Sequence, residues 1–117
     1  MKGIEIISIP VTNQQAAKEF YLKMGFQLIV EAPYEGGSNW IQLGIPGSDT
    51  SITLVNWFPQ MQPGSIRGLV IRCEDLDKDI EEMTARGVTV ESAQKMPWGR
   101  FATVRDPDGN AMSLHGK

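Results

Sequence analysis

The chain is poor in the residues that most often carry enzyme chemistry. Its 117 residues contain one cysteine, Cys73, and one histidine, His115. A single cysteine excludes an internal disulfide framework and is typical of proteins in a reducing cytoplasm. A single histidine is too few to build the imidazole clusters that hold transition metals. We therefore interpret Cys73 as a small packed hydrophobe and His115 as a surface residue near the C-terminus.

The chain also lacks a strong charge and a long apolar run. It has 11 Lys and Arg residues against 14 Asp and Glu residues, which gives a net charge of −3 and little attraction for nucleic acid. Glu5 comes too early for the apolar region of a signal peptide, and no apolar stretch approaches the length of a membrane span. We therefore expect a cytoplasmic protein that binds neither nucleic acid nor membrane.

What the chain does contain is an internal repeat. Ile9 and Ile71 lie 62 residues apart in similar strand-like stretches, and Gly25 and Gly87 lie 62 residues apart where helical patterns end. A repeat of this length is not a solenoid unit, so we expect the two copies to pair into one body. A groove between two similar halves is a common place for a ligand.

Each copy is predicted to contain a strand, a helix and three further strands. Asn13 and Asp75 are the candidate helix N-caps, and Gly25 and Gly87 end the helices. The predicted strands are 4–11, 26–30, 39–43 and 51–56 in the first copy, and 66–73, 88–90, 100–104 and 111–115 in the second. This order predicts one α+β domain over residues 1–117, with module 1 at about 1–57, a connector at about 58–65 and module 2 at about 66–117.

The strands alternate between apolar and mixed residues, which assigns their two faces. In the last strand, for example, Met112 and Leu114 alternate with Ser113 and His115. We expect the apolar faces to lie under the helices. The mixed faces should line a concave surface.

The order of elements resembles that of a known superfamily. Two βαβββ units, a glycine after each helix and the turn Asp106–Asn110 before the last strand are similar to the vicinal oxygen chelate superfamily, and the stretch Trp98–Arg105 strengthens the likeness. This superfamily includes glyoxalase I, extradiol dioxygenases and metal-free bleomycin-resistance proteins. The resemblance covers nearly the whole chain, and it implies a glyoxalase-like fold with a concave, cleft-bearing mixed sheet and a homodimer. Asp106 and Asp108 in the turn are expected to cap backbone amides.

The resemblance also implies where a metal would be bound. Enzymes of the superfamily hold a divalent metal with His or Glu, sometimes Gln, on the first and last strands of each module. The corresponding positions in this chain are Ile6, Thr53, Gly68 and Ser113. Ile and Gly side chains have no donor atom, and neutral hydroxyls bind transition metals poorly. We therefore expect no metal at this site and no other cofactor.

Aromatic and polar side chains on the predicted concave face are the candidate ligand-binding residues. The predicted set is Ser8, Trp40, Gln42, Thr53, Arg72, Phe101 and Ser113 on the strands, Trp57 and Trp98 on loops at the mouth, and Arg100 on or beside the face. The rings would offer a flat surface to a planar or apolar ligand, and the arginines would anchor a carboxylate or phosphate. The alternative is that the rings only fill gaps and the arginines are ordinary surface residues.

Two functions from different classes follow from this set. The first is a metal-free small-molecule-binding protein of the glyoxalase/bleomycin-resistance type, with a planar or apolar ligand in an aromatic-lined cleft to which a partner chain contributes. The second is a lyase or dioxygenase-like enzyme that recruits a non-standard metal through Gln42, His115 or a partner chain, or uses an acid–base group. No convincing carboxylate falls on the predicted concave face, so the binding protein is favoured and no catalytic residue is assigned. A third alternative is a vestigial groove in a protein that acts through interactions.

Metal analysis separates the first two functions. We expect carefully purified protein to contain no stoichiometric divalent metal, because the four family positions offer no imidazole or carboxylate. Elemental analysis of the protein against its final dialysis buffer measures this. A divalent metal that is held by side chains at one equivalent per chain would contradict the metal-free function.

Overall fold

The repeat in the sequence becomes two similar βαβββ modules in the computed structural model, which describes all of residues 1–117. The elements of module 1 are β1 (Ile6–Pro10), α1 (Gln14–Met24), β2 (Gln27–Pro33), β3 (Asn39–Gly44) and β4 (Ser51–Val55), with a short 3-10 turn at Glu35–Gly37. Those of module 2 are β5 (Leu69–Arg72), α2 (Leu76–Ala85), β6 (Gln94–Met96), β7 (Gly99–Arg105) and β8 (Ala111–Gly116). The predicted α+β class and the predicted order of strands and helices are confirmed.

Each module forms its own four-stranded mixed sheet. The strand orders are β1-β4-β3-β2 and β5-β8-β7-β6, so the two sheets have the same topology. The first and last strands of a module pair in parallel, and the other pairs are antiparallel. The parallel pairs place Ser8 opposite Thr53 and Val70 opposite Ser113. Two hydroxyl residues of the first and last strands therefore meet in module 1, whereas in module 2 a hydroxyl residue lies opposite a valine.

The two helices begin at side-chain caps. The carboxamide oxygen of Asn13 accepts a hydrogen bond from the Ala16 amide at 3.0 Å, and the Asp75 carboxylate accepts one from the Lys78 amide at 3.1 Å. Such a cap contributes about 1 kcal/mol because it satisfies an amide that has no partner within the helix. Gly25, at a φ of 120°, ends α1 in a conformation that L side chains rarely adopt. Neither helix is long and apolar enough to cross a membrane.

One strand of module 2 lies where the sequence did not predict it. Residues 88–90 were predicted to be a strand, but Val88 is instead buried in the core, and Val90 makes only an isolated bridge to Val104. The strand that pairs with β7 is β6, within a stretch that was predicted to be a loop. The residues of β6 are all exposed and show no apolar alternation, so only its backbone pairing defines it as a strand.

The core lies between the helices and the sheets and runs through both modules. It is one cluster of 18 buried residues, which includes Ile9, Ile41, Leu43 and Leu54 from module 1 and Ala102, Val104, Met112 and Leu114 from module 2. These are the residues that the alternation placed under the helices. Cys73 belongs to the same cluster, and burial raises the pKa of its thiol to about 12, so it packs as a hydrophobe.

A buried polar network joins module 1 to the Asp106–Asn110 turn of module 2. The Tyr21 hydroxyl donates to Oδ2 of Asp106 at 2.8 Å, and Nδ2 of Asn110 donates to the Pro10 carbonyl at 2.8 Å. Oδ1 of Asp106 accepts from the backbone amides of Asp108 and Asn110. Burial, and then the Asp106 carboxylate, raises the pKa of the Tyr21 phenol, which therefore stays protonated as a donor. The Asp106–Asn110 turn thus connects the two modules through hydrogen bonds, and the Asp106 carboxylate serves as an acceptor in this network.

Replacing Tyr21 by Phe should lower the free energy of unfolding by about 1.5–3 kcal/mol, because Asp106 would stay buried with one donor fewer. Tyr34→Phe is the matched control, since Tyr34 is 39% exposed and should change stability by less than about 0.5 kcal/mol. Chemical denaturation of both variants measures the difference. If the two variants lost the same free energy of unfolding, the Tyr21–Asp106 hydrogen bond would not contribute to the stability of the fold.

Candidate functional site

The concave side of module 2 contains an open cavity of about 560 Å³. Its lining residues come from β6, β7, β8 and the segment before β6, and they are Glu91, Ser92, Gln94, Met96, Trp98, Phe101, Thr103 and Ser113. Three of them, Trp98, Phe101 and Ser113, belong to the predicted ligand-binding set. The cavity has the size of a small-molecule pocket.

The cavity combines aromatic surface with neutral hydrogen-bonding groups. Trp98 stands 68% exposed in the tight turn of the β6–β7 hairpin. Phe101 lies on the adjacent strand, and the hydroxyl residues Thr103 and Ser113 form a cross-strand pair beside it. The one charged lining group, Glu91, is paired with Nε of Arg105 at 2.7 Å. Such a lining suits a neutral ligand with a flat apolar body and polar edges.

The concave side of module 1 carries side-chain hydrogen bonds within β3 and between neighbouring strands. Nε1 of Trp40 donates to Oε1 of Gln42 at 3.2 Å, and Nε2 of Gln42 donates to Oγ of Ser51 at 2.8 Å. The Ser8 and Thr53 hydroxyls lie 3.3 Å apart. The hydrogen bond to Gln42 therefore fixes the orientation of the Trp40 indole.

Four aromatic rings form a cluster at one end of this face. The Trp40 and Trp57 rings are stacked, with centroids 6.1 Å apart and planes 22° apart. The centroid of the Tyr34 ring lies 4.5 Å from that of Trp57, and the centroid of the Phe58 ring lies 6.0 Å from that of Trp57. Tyr34 and Phe58 are each partly exposed, at 39% and 46%. Trp40 and Trp57 thus belong to a larger aromatic cluster. Tyr34 and Phe58, its other two members, were not among the predicted ligand-binding residues.

The two predicted halves of the site do not meet in one cavity of a single chain. The module 2 cavity is lined by residues 91–113 only. Ser8, Trp40, Gln42, Thr53 and Trp57 stay together on module 1 and contribute nothing to its walls. The predicted ligand-binding residues of one chain therefore lie on two separate sheets.

The predicted arginines have different surroundings. Arg100 points to the helix side of β7, where Nη1 and Nη2 donate to the two carboxylate oxygens of Asp77 on α2 at 2.9 Å each, and Nε donates to the Lys117 carbonyl. This corrects the expectation that Arg100 lies on or beside the concave face. Arg72 is exposed and lies opposite His115 at the edge of sheet β5-β8-β7-β6, outside the cavity.

Five lining residues were missed by sequence reasoning, namely Glu91, Ser92, Gln94, Met96 and Thr103. The first four fall in the stretch that was predicted to be a loop before β7, whereas Thr103 lies on the predicted strand 100–104. Pro97-Trp98-Gly99 is a turn signal, and a hairpin around it would have paired 94–96 with 99–101. That pairing places Gln94 opposite Phe101 and turns Gln94 and Met96 toward the cavity.

The family's metal positions do not fit a metal in this fold. Ile6 faces Ser51 across the sheet, Ser113 lies opposite Val70, and no group of three or more His, Cys, Asp or Glu side chains is assembled anywhere in the chain. The hydroxyls of Thr53 and Ser8 contact each other. Because neutral hydroxyls are poor ligands for transition metals, no reaction step through a metal can be derived at this site.

Two βαβββ modules with concave faces define a glyoxalase-like protein. The sequence matches the Glyoxalase/Bleomycin resistance protein/Dioxygenase superfamily over residues 3–114, and the chain belongs to this superfamily. The suspected family resemblance is therefore confirmed.

Similar proteins come from several bacteria. TnmS3, described as an antibiotic binding protein from Streptomyces sp. CB03234, is 43% identical with a TM-score of 0.90, and the match covers 98% of this chain and 95% of that chain. A member of the superfamily from Sphaerobacter thermophilus DSM 20745 is 27% identical with a TM-score of 0.87, covering 100% and 98%. Protein YetH of Bacillus subtilis (strain 168) is 30% identical over 120 residues, covering 97% and 98%.

The corrected position of Arg100 can be tested by titration. The hydrogen bonds from Arg100 hold the pKa of Asp77 below its usual range, so Arg100→Gln should raise that pKa toward about 3.9. Carboxyl-carbon NMR against pH measures the change. Glu31 is the internal control, because Gln15 and Lys18 lower its pKa and the substitution leaves both in place. An unchanged Asp77 would show that Arg100 does not pair with α2.

Proposed function

We propose that this protein is a metal-free binding protein that holds a neutral, planar or apolar small molecule in an aromatic-lined cleft. The module 2 cavity is the observation that carries this proposal. Trp98, Phe101 and Met96 provide its apolar surface, and Thr103 and Ser113 provide hydroxyls for the polar edge of a ligand. The likeness to TnmS3, described as an antibiotic binding protein, supports a small organic ligand.

The charges around the cavity favour binding over catalysis. A metal-free enzyme would need a free acid or base next to the ligand. Glu91 is already paired with Arg105, and the buried Asp106 carboxylate accepts hydrogen bonds from Tyr21 and Asn110 and does not line the cavity. The paired Glu91 also removes the main reason for a charged ligand. Affinity would come from buried aromatic area and specificity from the hydroxyls.

A second copy of the chain would complete the cleft. Large apolar side chains stay exposed on the edge strands and the hairpin tip: Leu28 (42%), Ile29 (55%) and Val30 (39%) on β2, Val70 (54%) on β5, Met96 (39%) on β6 and Trp98 (68%). Large exposed apolar side chains on sheet edges are candidates for contact with another chain. In a twofold dimer, each module 1 face would cover the partner's module 2 face, because the same two surfaces meet twice.

Mixing two defective variants tests this arrangement. Trp40→Ala damages the module 1 half-site and Phe101→Ala the module 2 half-site, so each homodimer should lose most of its binding. Unfolding and refolding them together should restore about a quarter of the wild-type sites, because roughly half of the dimers are mixed and one of their two clefts is intact. Titration with Nile red, a neutral planar fluorophore, counts the sites after a panel of such probes has established binding.

Trp40→Ala mixed with Trp57→Ala is the matched control. Both lesions lie in module 1, so no mixed dimer contains an intact cleft and binding should stay low. Recovery in neither mixture would place the cleft within one chain. A monomer in sedimentation at binding concentrations would also overturn the dimer, and a lack of response to every neutral planar probe would overturn the binding proposal.

A further inference from the structure

Trp98 lies in the turn of the β6–β7 hairpin, where few contacts hold the backbone. β6 has three residues, all exposed, and pairs only with β7. Trp98 itself is 68% exposed in the turn that follows. A short, exposed hairpin of this kind opens easily unless another contact holds it. The position of the indole therefore depends on whatever binds the turn to the rest of the sheet.

His115 provides that contact. Its Nε2 atom lies 3.2 Å from the backbone carbonyl oxygen of Trp98. A carbonyl only accepts hydrogen bonds, so the geometry places the imidazole proton on Nε2. The contact joins β8 to the turn that immediately precedes β7. It is a long-range contact to the residue that carries the exposed ring.

The imidazole is itself held in place. It stacks on the ring of Phe101 with centroids 4.5 Å apart and planes 11° apart, and the two residues are direct cross-strand partners. Its backbone neighbour Leu114 is fully buried, which anchors β8 to the core. The His115 ring thus packs against Phe101, and its Nε2 contacts the turn that carries Trp98. Phe101 and Trp98 are the two aromatic rings of the cavity lining.

Gly99 makes room for this arrangement. A Cβ at position 99 would lie 2.7 Å from Nε2 of His115 and 2.7 Å from the Gly116 carbonyl oxygen. The φ of Gly99 is 138°, which L side chains rarely adopt. The absence of a side chain after Trp98 therefore lets the imidazole approach the turn.

We infer that His115 is a positioning residue that orders Trp98 at the mouth of the cleft before any ligand arrives. The effect of His115 on ligand affinity rests on the proposed function. A Trp98 side chain that is already ordered loses less conformational freedom when a ligand binds, so the ligand binds more tightly. The ordering of Trp98 itself does not depend on a ligand, which allows the two ideas to be tested separately.

The test uses Trp98 as its own reporter. In a background with Trp40→Phe and Trp57→Phe, Trp98 is the remaining tryptophan of the three in the chain. Time-resolved fluorescence anisotropy of the ligand-free protein then measures its local motion. His115→Phe keeps the stack on Phe101 and removes the donor, whereas His115→Gln keeps a donor and removes the stacked ring. We expect a larger fast component in the Phe variant and recovery in the Gln variant.

The affinity for Nile red should change in the same direction as the ordering of Trp98 in the two His115 variants. In the chain that retains all three tryptophans, His115→Phe should weaken Nile red binding about threefold to tenfold, and His115→Gln should recover most of the loss. A His115→Phe variant with Trp98 as ordered as before would overturn the inference. So would equal disorder in both variants, because loss of the stack alone would then explain the effect.

One measurement needs no variant at this position. Long-range nitrogen–proton NMR of the native protein at neutral pH should show the proton on Nε2 of His115. The Nδ1 tautomer would overturn the inference. If Trp98 proves ordered by His115 but no probe binds, the proposed function fails while the positioning role stands.

Discussion

The buried carboxylate of Asp106 is the group on which the arrangement of the two modules depends. It accepts hydrogen bonds from the Tyr21 hydroxyl, the Asn110 carboxamide and the amides of Asp108 and Asn110. A buried charge is strongly unfavourable unless donors surround it. One of these donors comes from α1 of the other module, so satisfying the carboxylate requires the modules to stay together. The faces of both sheets that lie under the helices are then buried in the shared core.

The concave faces are left outside this core, and the difference explains their composition. Stability does not require apolar residues there, so the faces can carry Trp40, Gln42, Thr103 and Ser113 in a pattern that suits a ligand. The polar groups of this surface support its rings: Gln42 bonds to the Trp40 indole, and His115 stacks on Phe101. Rings held in this way lose little freedom when a ligand arrives, which favours binding.

Sequence reasoning succeeded where local physics decides the outcome. Caps at Asn13 and Asp75 define where the helices begin, and strand alternation separates buried Leu114 from half-buried Ser113. It failed where a contact with a partner, rather than an apolar period, defines the structure. β6 has no apolar period and exists because its backbone pairs with β7, and Arg100 turns to the helix side, where Asp77 lies 23 residues earlier in the chain.

The sequence by itself determined the repeat, the faces of the strands and the lack of metal ligands at the family positions, because each depends on residue identity and spacing alone. Only the tertiary structure decided which predicted residues share a cavity, which arginine is already paired, and that the predicted ligand-binding residues lie on two separate sheets. These properties depend on which strands lie next to one another. Hydrogen bonding between strands that are far apart in sequence, such as β5 and β8, sets that order, and the alternation within a single strand does not encode it.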